Sequence, residues 1–235
     1  MEKIKIKAVY FDAGETLIYR NPSLTVLAYR RIRKLKKNIT MREVEKALAA
    51  SALKMARVVK KGVMKDTQKW EMYISIVFGM LGIKNAAAAS GLKDRLKSGS
   101  SFRRFSDALY TLRQLKKAGV KTGIISNAPA ELRKMLKATG LHGEVGDIIV
   151  SEEAGVEKPD LRIFSMAVRN ARCKPGEMIY VGDNFIADIE GAAGAGITPL
   201  WIRRKTRHAQ FSFAHLAEKK SVVVIKSLKE VLKRL

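Results

Sequence analysis

Residues 4–17 read IKIKAVYFDAGETL. The run from Ile4 to Phe11 is rich in Val, Ile and aromatic residues, which predicts a β-strand. It stops at Asp12-Ala13-Gly14-Glu15, where aspartate and glycine break the strand pattern. Asp12 therefore stands at the carboxyl end of the first strand, the position around which an α/β enzyme builds its active site.

Working outward, the stretch from about Leu24 to Lys97 shows no strand signal. Thr40-Met41-Arg42-Glu43 is a capping-box pattern that predicts a helix running to about Lys61. A second helical pattern covers Asp66–Leu81, and Lys97–Ser101 (KSGSS) reads as a return linker. Alternation follows. A helix over Phe105–Ala118 leads to a strand over Lys121–Ile125, and a helix over Ala130–Thr139 to a strand over Asp147–Val150. A helix then starts at Pro159, a favoured first-turn residue. A strand over Met178–Val181 precedes a helix opening near Asp188. Strands Ile197–Ile202 and Val222–Ile225 and a helix Leu228–Leu235 complete the chain. Such alternation predicts a doubly wound, mostly parallel α/β sheet covered on both faces. The helical region after the first strand interrupts the rhythm and reads as an inserted all-helical domain over residues 18–105, with the core formed by 1–17 and 106–235.

The 235 residues include 47% hydrophobic ones, ordinary for a globular chain. The single cysteine, Cys173, rules out an intramolecular disulfide and fits a reducing, cytoplasmic setting. The longest apolar stretch, Met72–Ile83, is too short to cross a bilayer, which takes about 20 residues. It reads as a buried helix or a subunit contact, and no membrane association is expected. Oligomeric state leaves no mark in the sequence. The net charge of +24 attracts anions. From Leu17 to Asp66 there are fourteen Lys and Arg against three acids, and Arg203–His208 forms a second basic cluster. These suit a small anionic substrate. They also leave open nucleic-acid binding, although no recognised nucleic-acid motif accompanies them.

Ligands of open α/β sheets sit beyond the carboxyl ends of the strands. Collected there are Asp12, Gly14 and Thr16 after the first strand and Ser126 and Asn127 after the second. Lys158 follows the third, and Gly182, Asp183 and Asp188 follow the fourth. Asp12 and Asp183 suit a hard cation such as Mg²⁺. Ser126, Asn127 and Lys158 offer donors and a positive charge to an anionic group. An aspartate can act as a nucleophile and form an acyl-phosphate, so the set fits phosphoryl transfer. Taken singly, Ser126, Asn127 and Asp188 also fit helix caps, and Lys158 a surface charge.

Four pieces in order, FDAGETL, the strand ending Ile125-Ser126-Asn127, Lys158-Pro159 and VGDNFIADIEGAAGAG, resemble the motifs of the haloacid dehalogenase-like hydrolases. The resemblance implies a Rossmann-like core, with the helical insert as its cap. It implies Asp12 as nucleophile and metal ligand, the Gly14 carbonyl and Asp183 as further ligands of Mg²⁺, and Asp188 as a supporting carboxylate. It assigns phosphate binding to Ser126 with the Asn127 amide nearby, a catalytic and phosphate-binding charge to Lys158, and loop shaping to Thr16. The substrate is then a phosphate ester or acyl phosphate. One position departs from the pattern of the family's phosphatases. Where they carry a second aspartate, two residues after the nucleophile, this chain has Gly14, and Glu15 is the nearest carboxylate. Dehalogenation of 2-haloacids, which needs no metal, is the alternative within the same family. A weakly active protein that binds nucleic acid through its basic surface is the third reading.

Overall fold

The computed structural model describes residues 5–59, 66–84, 101–204 and 222–235. The chain divides into two compact units. The first unit is Met1–Tyr19, Phe102–Lys205 and Ser212–Leu235, and the second is Arg20–Ser101 with Thr206–Phe211.

The first unit is an α/β layer structure. Its strands are β1 (Ala8–Phe11), β4 (Lys121–Ser126), β5 (Asp147–Val150), β6 (Met178–Gly182), β7 (Thr198–Ile202) and β8 (Val223–Ile225). They form one sheet in the order β5-β4-β1-β6-β7-β8, with every neighbouring pair parallel. β1 is buried on both faces, as the apolar run of Val, Tyr and Phe requires. Val9 and Phe11 join one core with Leu112, Leu115, Leu136 and Leu228. Ala8 and Tyr10 join the other with Ile163, Phe164 and Ala167. The helices α4 (Ala108–Lys117) and α5 (Leu132–Ala138) supply the first core, and α7 (Leu161–Ala171) the second. The sheet is therefore wrapped on both sides.

Register decides where the chemistry sits. Phe11 pairs with Ile124 on one side and with Val181 on the other. The residues that follow, Asp12, Ile125-Ser126 and Gly182-Asp183, thus lie side by side at the carboxyl edge of the sheet. Strand order reverses at β1, which places this spot at the topological switch point.

Several boundaries differ from expectation, each for a local reason. β1 begins at Ala8; Lys5, Ile6 and Lys7 lie outside it, and Ile4 falls outside the described residues. α7 begins at Leu161, not at Pro159. Its N-cap is Asp160, whose carboxylate accepts the Arg162 N–H at 2.9 Å. A short helix, α6 (Ser151–Ala154), precedes it and ends at Gly155 in the left-handed region (φ 66°). The helix expected to open near Asp188 opens earlier: Phe185–Glu190 forms a single π-type turn, and α8 (Gly191–Gly194) continues it. Its cap is Asn184, whose Oδ1 accepts from the Ile186 and Ala187 N–H groups.

The second unit holds α1 (Leu24–Leu35), α2 (Met41–Val59) and α3 (Asp66–Met80). The expected capping box is present: Glu43 accepts the Thr40 N–H at 2.8 Å, and Thr40 Oγ1 accepts the Glu43 N–H at 3.2 Å. Ile74, Val77 and Phe78 of α3 pack with Leu27 and Ile32 of α1 and Val44 and Leu48 of α2. One face of the apolar Met72–Ile83 run, carrying Ile74, Val77, Phe78 and Leu81, is thus core, while Met80 is exposed. Two strands outside the Leu24–Lys97 stretch escape the sequence reading. They are β2 (Ile18–Asn21) and β3 (Ser101–Arg104), which pair in a small two-stranded sheet. Each lacks the apolar run that marks the equally short β1 and β5: β2 reads Ile-Tyr-Arg-Asn and β3 Ser-Phe-Arg-Arg. Lys97–Ser100 lie outside the described residues. Among the described residues no helix is long and apolar enough to cross a membrane.

Candidate active site

Asp12 continues the sheet for one residue beyond β1, its N–H donating to the Val181 carbonyl at 2.8 Å. That bond holds the carboxylate at the sheet's end, where it is buried. Lys158 reaches it from the loop before α7. Its ammonium donates to Asp12 Oδ1 at 2.7 Å and to Asp188 Oδ1 at 2.6 Å, and the Ile125 carbonyl (2.9 Å) and Tyr180 Oη (2.8 Å) complete the cage. The lysine side chain is 2% exposed, so this is no surface charge. Asp188 uses its other oxygen to accept the Asn184 N–H at 2.9 Å. It thereby ties the π-type turn to the loop that carries Asp183. A Cβ on Gly182 would meet the Asp188 carboxylate at 2.3 Å, so this close approach needs glycine.

Asp12, Asp183 and Asp188 each offer a carboxylate oxygen within 4.8 Å of the others. Burial pushes the Asp12 carboxyl up to about 6, against the pull of Lys158. Burial, then the Asp12 and Asp188 charges, hold Asp183 well above the ordinary carboxylate range. Burial alone would lower the Lys158 ammonium, but Asp12 and Asp188 overcome it and raise it. Three carboxylates gather beside one ammonium, and the raised Asp12 and Asp183 carboxyls express the cost of bringing such charges together away from water. An all-oxygen, anionic set of this kind fits a hard divalent cation such as Mg²⁺.

The remaining sequence candidates fall around this cluster. Ser126 ends β4 and is buried. The Asn127 side chain lies against the Lys158 backbone. Its Nδ2 donates to the Lys158 carbonyl, and its Oδ1 accepts the Lys158 N–H, both at 2.8 Å. Both ends of the amide are spent on placing the lysine's backbone. Gly14 is exposed, and a Cβ there would meet nothing within 4 Å. Glu15 takes a left-handed backbone (φ 55°), unusual for a residue with a side chain. Thr16 is fully buried, and its Oγ1 makes no hydrogen bond among the described residues.

Two residues of the site escaped the sequence. Tyr180 is buried in β6; besides accepting from Lys158, its hydroxyl donates to the Ile125 carbonyl at 2.9 Å. Trp201 Nε1 donates to the Asp183 carbonyl at 2.8 Å and fixes that residue's backbone. The period of two in β6 carried a signal for Tyr180: it shares the face of Gly182, the residue against which Asp188 packs.

Comparison with known proteins agrees with this arrangement. A family model described as haloacid dehalogenase-like hydrolase matches residues 6–196. The chain is 29% identical over 218 residues to the glyceraldehyde 3-phosphate phosphatase of Methanothermobacter thermautotrophicus, covering 87% of this chain and 89% of that protein. It is 34% identical over 128 residues to (S)-2-haloacid dehalogenase 4A of Burkholderia cepacia, covering 54% and 55% of the two chains. The solved structure of the HAD-hydrolase YfnB from Bacillus subtilis, bound to magnesium, superposes with a TM-score of 0.70 at 19% identity over 97% of each chain. With the family model spanning the four strand-end motifs and the fold shared along its length, the chain belongs to the haloacid dehalogenase-like hydrolase family.

Proposed function

We propose that this hydrolase is a Mg²⁺-dependent phosphatase acting on a small phosphorylated metabolite through an aspartyl-phosphate on Asp12. The observation that carries the reading is the buried Asp12–Lys158–Asp188 network with Asp183 beside it. Asp12, Asp183 and the Gly14 carbonyl would hold the ion, which when bound neutralises charge on the carboxylates and the phosphoryl group. An Asp12 oxygen attacks phosphorus, the bond to the leaving oxygen breaks, and the substrate's alcohol or acid departs. Water then attacks the phosphorus of the aspartyl-phosphate and releases inorganic phosphate and the free carboxylate. Lys158 keeps one Asp12 oxygen fixed throughout and balances the charge that builds on the transferred group. Ser126 is read as a donor to that group, and Asn127 as the residue that seats Lys158. The helical unit, Arg20–Ser101, is read as the cap that selects the substrate. Its setting is read as cytoplasmic.

Gly14 narrows the substrate class. No acid stands two residues after Asp12 to protonate a leaving oxygen, and such a group contributes roughly 10²–10⁴-fold. Acyl and aryl phosphates, whose leaving groups need little protonation, should therefore turn over faster than alkyl esters. Glyceraldehyde 3-phosphate, the substrate named for the M. thermautotrophicus relative, is the alkyl ester to test first.

A second reading, 2-haloacid dehalogenation, is favoured by the likeness to the B. cepacia enzyme. Against it stands the carboxylate trio, which has no evident use when Asp12 attacks carbon. Nucleic-acid binding draws no support from the relatives. The test is a screen of phosphates and haloacids with and without Mg²⁺, using wild type and Asp12→Asn. Phosphatase activity that needs both Mg²⁺ and Asp12 supports the proposal. Haloacid turnover at full rate in a chelator replaces it with the second reading.

A further inference from the structure

A second buried ion pair, Arg204–Asp107, lies apart from the Asp12 cluster, and its side chains are 8% and 9% exposed. In the sequence Arg204 belongs to a basic run that reads as surface charge, yet its guanidinium is enclosed and almost fully bonded. Nη1 and Nη2 donate to the two Asp107 oxygens at 3.1 and 2.9 Å. Nε and Nη2 donate to the Thr16 carbonyl at 3.2 and 2.7 Å. Its carbon lies 3.7 Å from the centroid of the Phe105 ring. Asp107 occupies the N-cap position of α4 but does not cap it. Its carboxylate accepts instead from Ser227 Oγ and the Leu228 N–H, at 2.8 and 2.9 Å.

Thr16 is the link to the chemistry, because it closes the loop that begins with Asp12 and Gly14. That loop bonds to itself: the Leu17 and Ile18 N–H groups donate to the Ala13 carbonyl, and the Glu15 N–H to the Ile18 carbonyl. The Leu17 carbonyl accepts the Phe105 N–H at 3.0 Å. The Thr16 carbonyl is left to Arg204. The clamp also lies close in sequence to points where the chain changes units, Tyr19–Arg20 and Ser101–Phe102 among them, and the Phe105 and Tyr19 ring centroids are 4.8 Å apart.

We propose that Arg204 is a positioning residue for this reaction. Its forked guanidinium, braced by Asp107, holds the Thr16 carbonyl, so that the Asp12 carboxylate and the Gly14 carbonyl keep their places. This rests on the reading of Asp12 as nucleophile. Stability alone does not call for the pair, because a buried ion pair can often be exchanged for apolar residues at little cost. An apolar pair, however, cannot bond the Thr16 carbonyl. Nor can lysine reproduce a planar fork that serves a carboxylate and a carbonyl together.

The experiment compares kcat and KM for p-nitrophenyl phosphate in wild type, Arg204→Lys, Arg204→Ala and Asp12→Asn, with folding followed by circular dichroism. In folded protein, kcat falls roughly tenfold in Arg204→Lys and about 10²-fold in Arg204→Ala with little change in KM, the scale expected when a reacting group is misplaced by about an ångström. Millimolar guanidinium restores kcat to Arg204→Ala and not to Asp12→Asn. The proposal is overturned if both Arg204 variants keep wild-type kcat, if only KM changes, or if activity falls merely in step with the folded fraction and guanidinium restores nothing. An active Asp12→Asn overturns the reading of Asp12 itself, whereas an inactive Asp12→Asn beside fully active Arg204 variants overturns only the clamp.

Discussion

At the scale of the residue, the site is a problem of charge. Three carboxylates, Asp12 and Asp188 buried and Asp183 half-buried, cluster with one ammonium, and each is held by a different segment. The types and order of Asp12, Lys158, Asp183 and Asp188 were legible in the sequence because each follows a strand. Their partners were not, because contacts between side chains far apart in the chain leave no local pattern. Tyr180 read as one more apolar-strand residue, and Arg204 as one more surface cation. Gly14 is the residue whose identity most directly sets the chemistry. A side chain fits there without a clash, so Gly14→Asp tests the missing acid cleanly. The variant should gain at least about tenfold on alkyl phosphates relative to aryl phosphates, within the range that a positioned acid contributes. Equal gains on both, or none, would show that leaving-group protonation does not limit this enzyme.

At the scale of the element, the parallel sheet and the helices on its two faces follow from the alternation of strand and helix patterns, whereas the strand order does not. The departures come from capping and from short polar pieces. Asp160 moves the start of α7, and Asn184 sets that of the π-type turn, both through hydrogen bonds to backbone N–H groups. β2 and β3 escape because they are mostly polar and never fully buried along their length, unlike the equally short β1. The contact between β6 and the π-type turn makes a sharp prediction. Gly182→Ala places a methyl group on the Asp188 carboxylate and should cost about 1–3 kcal/mol in urea unfolding, with loss of turnover as Asp188 is displaced. Unchanged stability and activity would show that the turn can move aside freely. A second prediction concerns the clamp between α4 and the C-terminal segment. Burial would raise the Asp107 carboxyl, but the hydrogen bonds and charge of Arg204 and the bonds from Leu228 and Ser227 outweigh it and hold it below its ordinary 3.8. A lowered folded-state value means that this stabilisation is present above pH 3.8 and is lost as pH falls below it. Asp107→Asn should therefore be less stable at neutral pH and show a shallower loss of stability in acid. A parallel loss in both proteins would remove Asp107 from the account.

At the scale of the whole molecule, the sequence marks an insert by the break in the strand–helix rhythm, while the substrate leaves no mark, because no motif in the helical stretch is legible. The net charge of +24 favours an anionic substrate over long range. Because the carboxylate trio is strained by its own charge, a bound divalent ion should stabilise the fold. Mg²⁺ at one hundred times its Kd contributes about 2.7 kcal/mol, which appears as a rise in Tm that EDTA reverses and Asp183→Asn abolishes. A Tm indifferent to Mg²⁺ would argue that the trio holds no ion. The central claim, that Asp12 carries the phosphoryl group, is tested most directly by acid-quenching the enzyme during turnover of acetyl phosphate and weighing its peptides by mass spectrometry. The account predicts the added mass of one phosphoryl group on the peptide containing Asp12, and its absence from Asp12→Asn. A phosphoryl group on another residue, or undiminished turnover by Asp12→Asn, would contradict it.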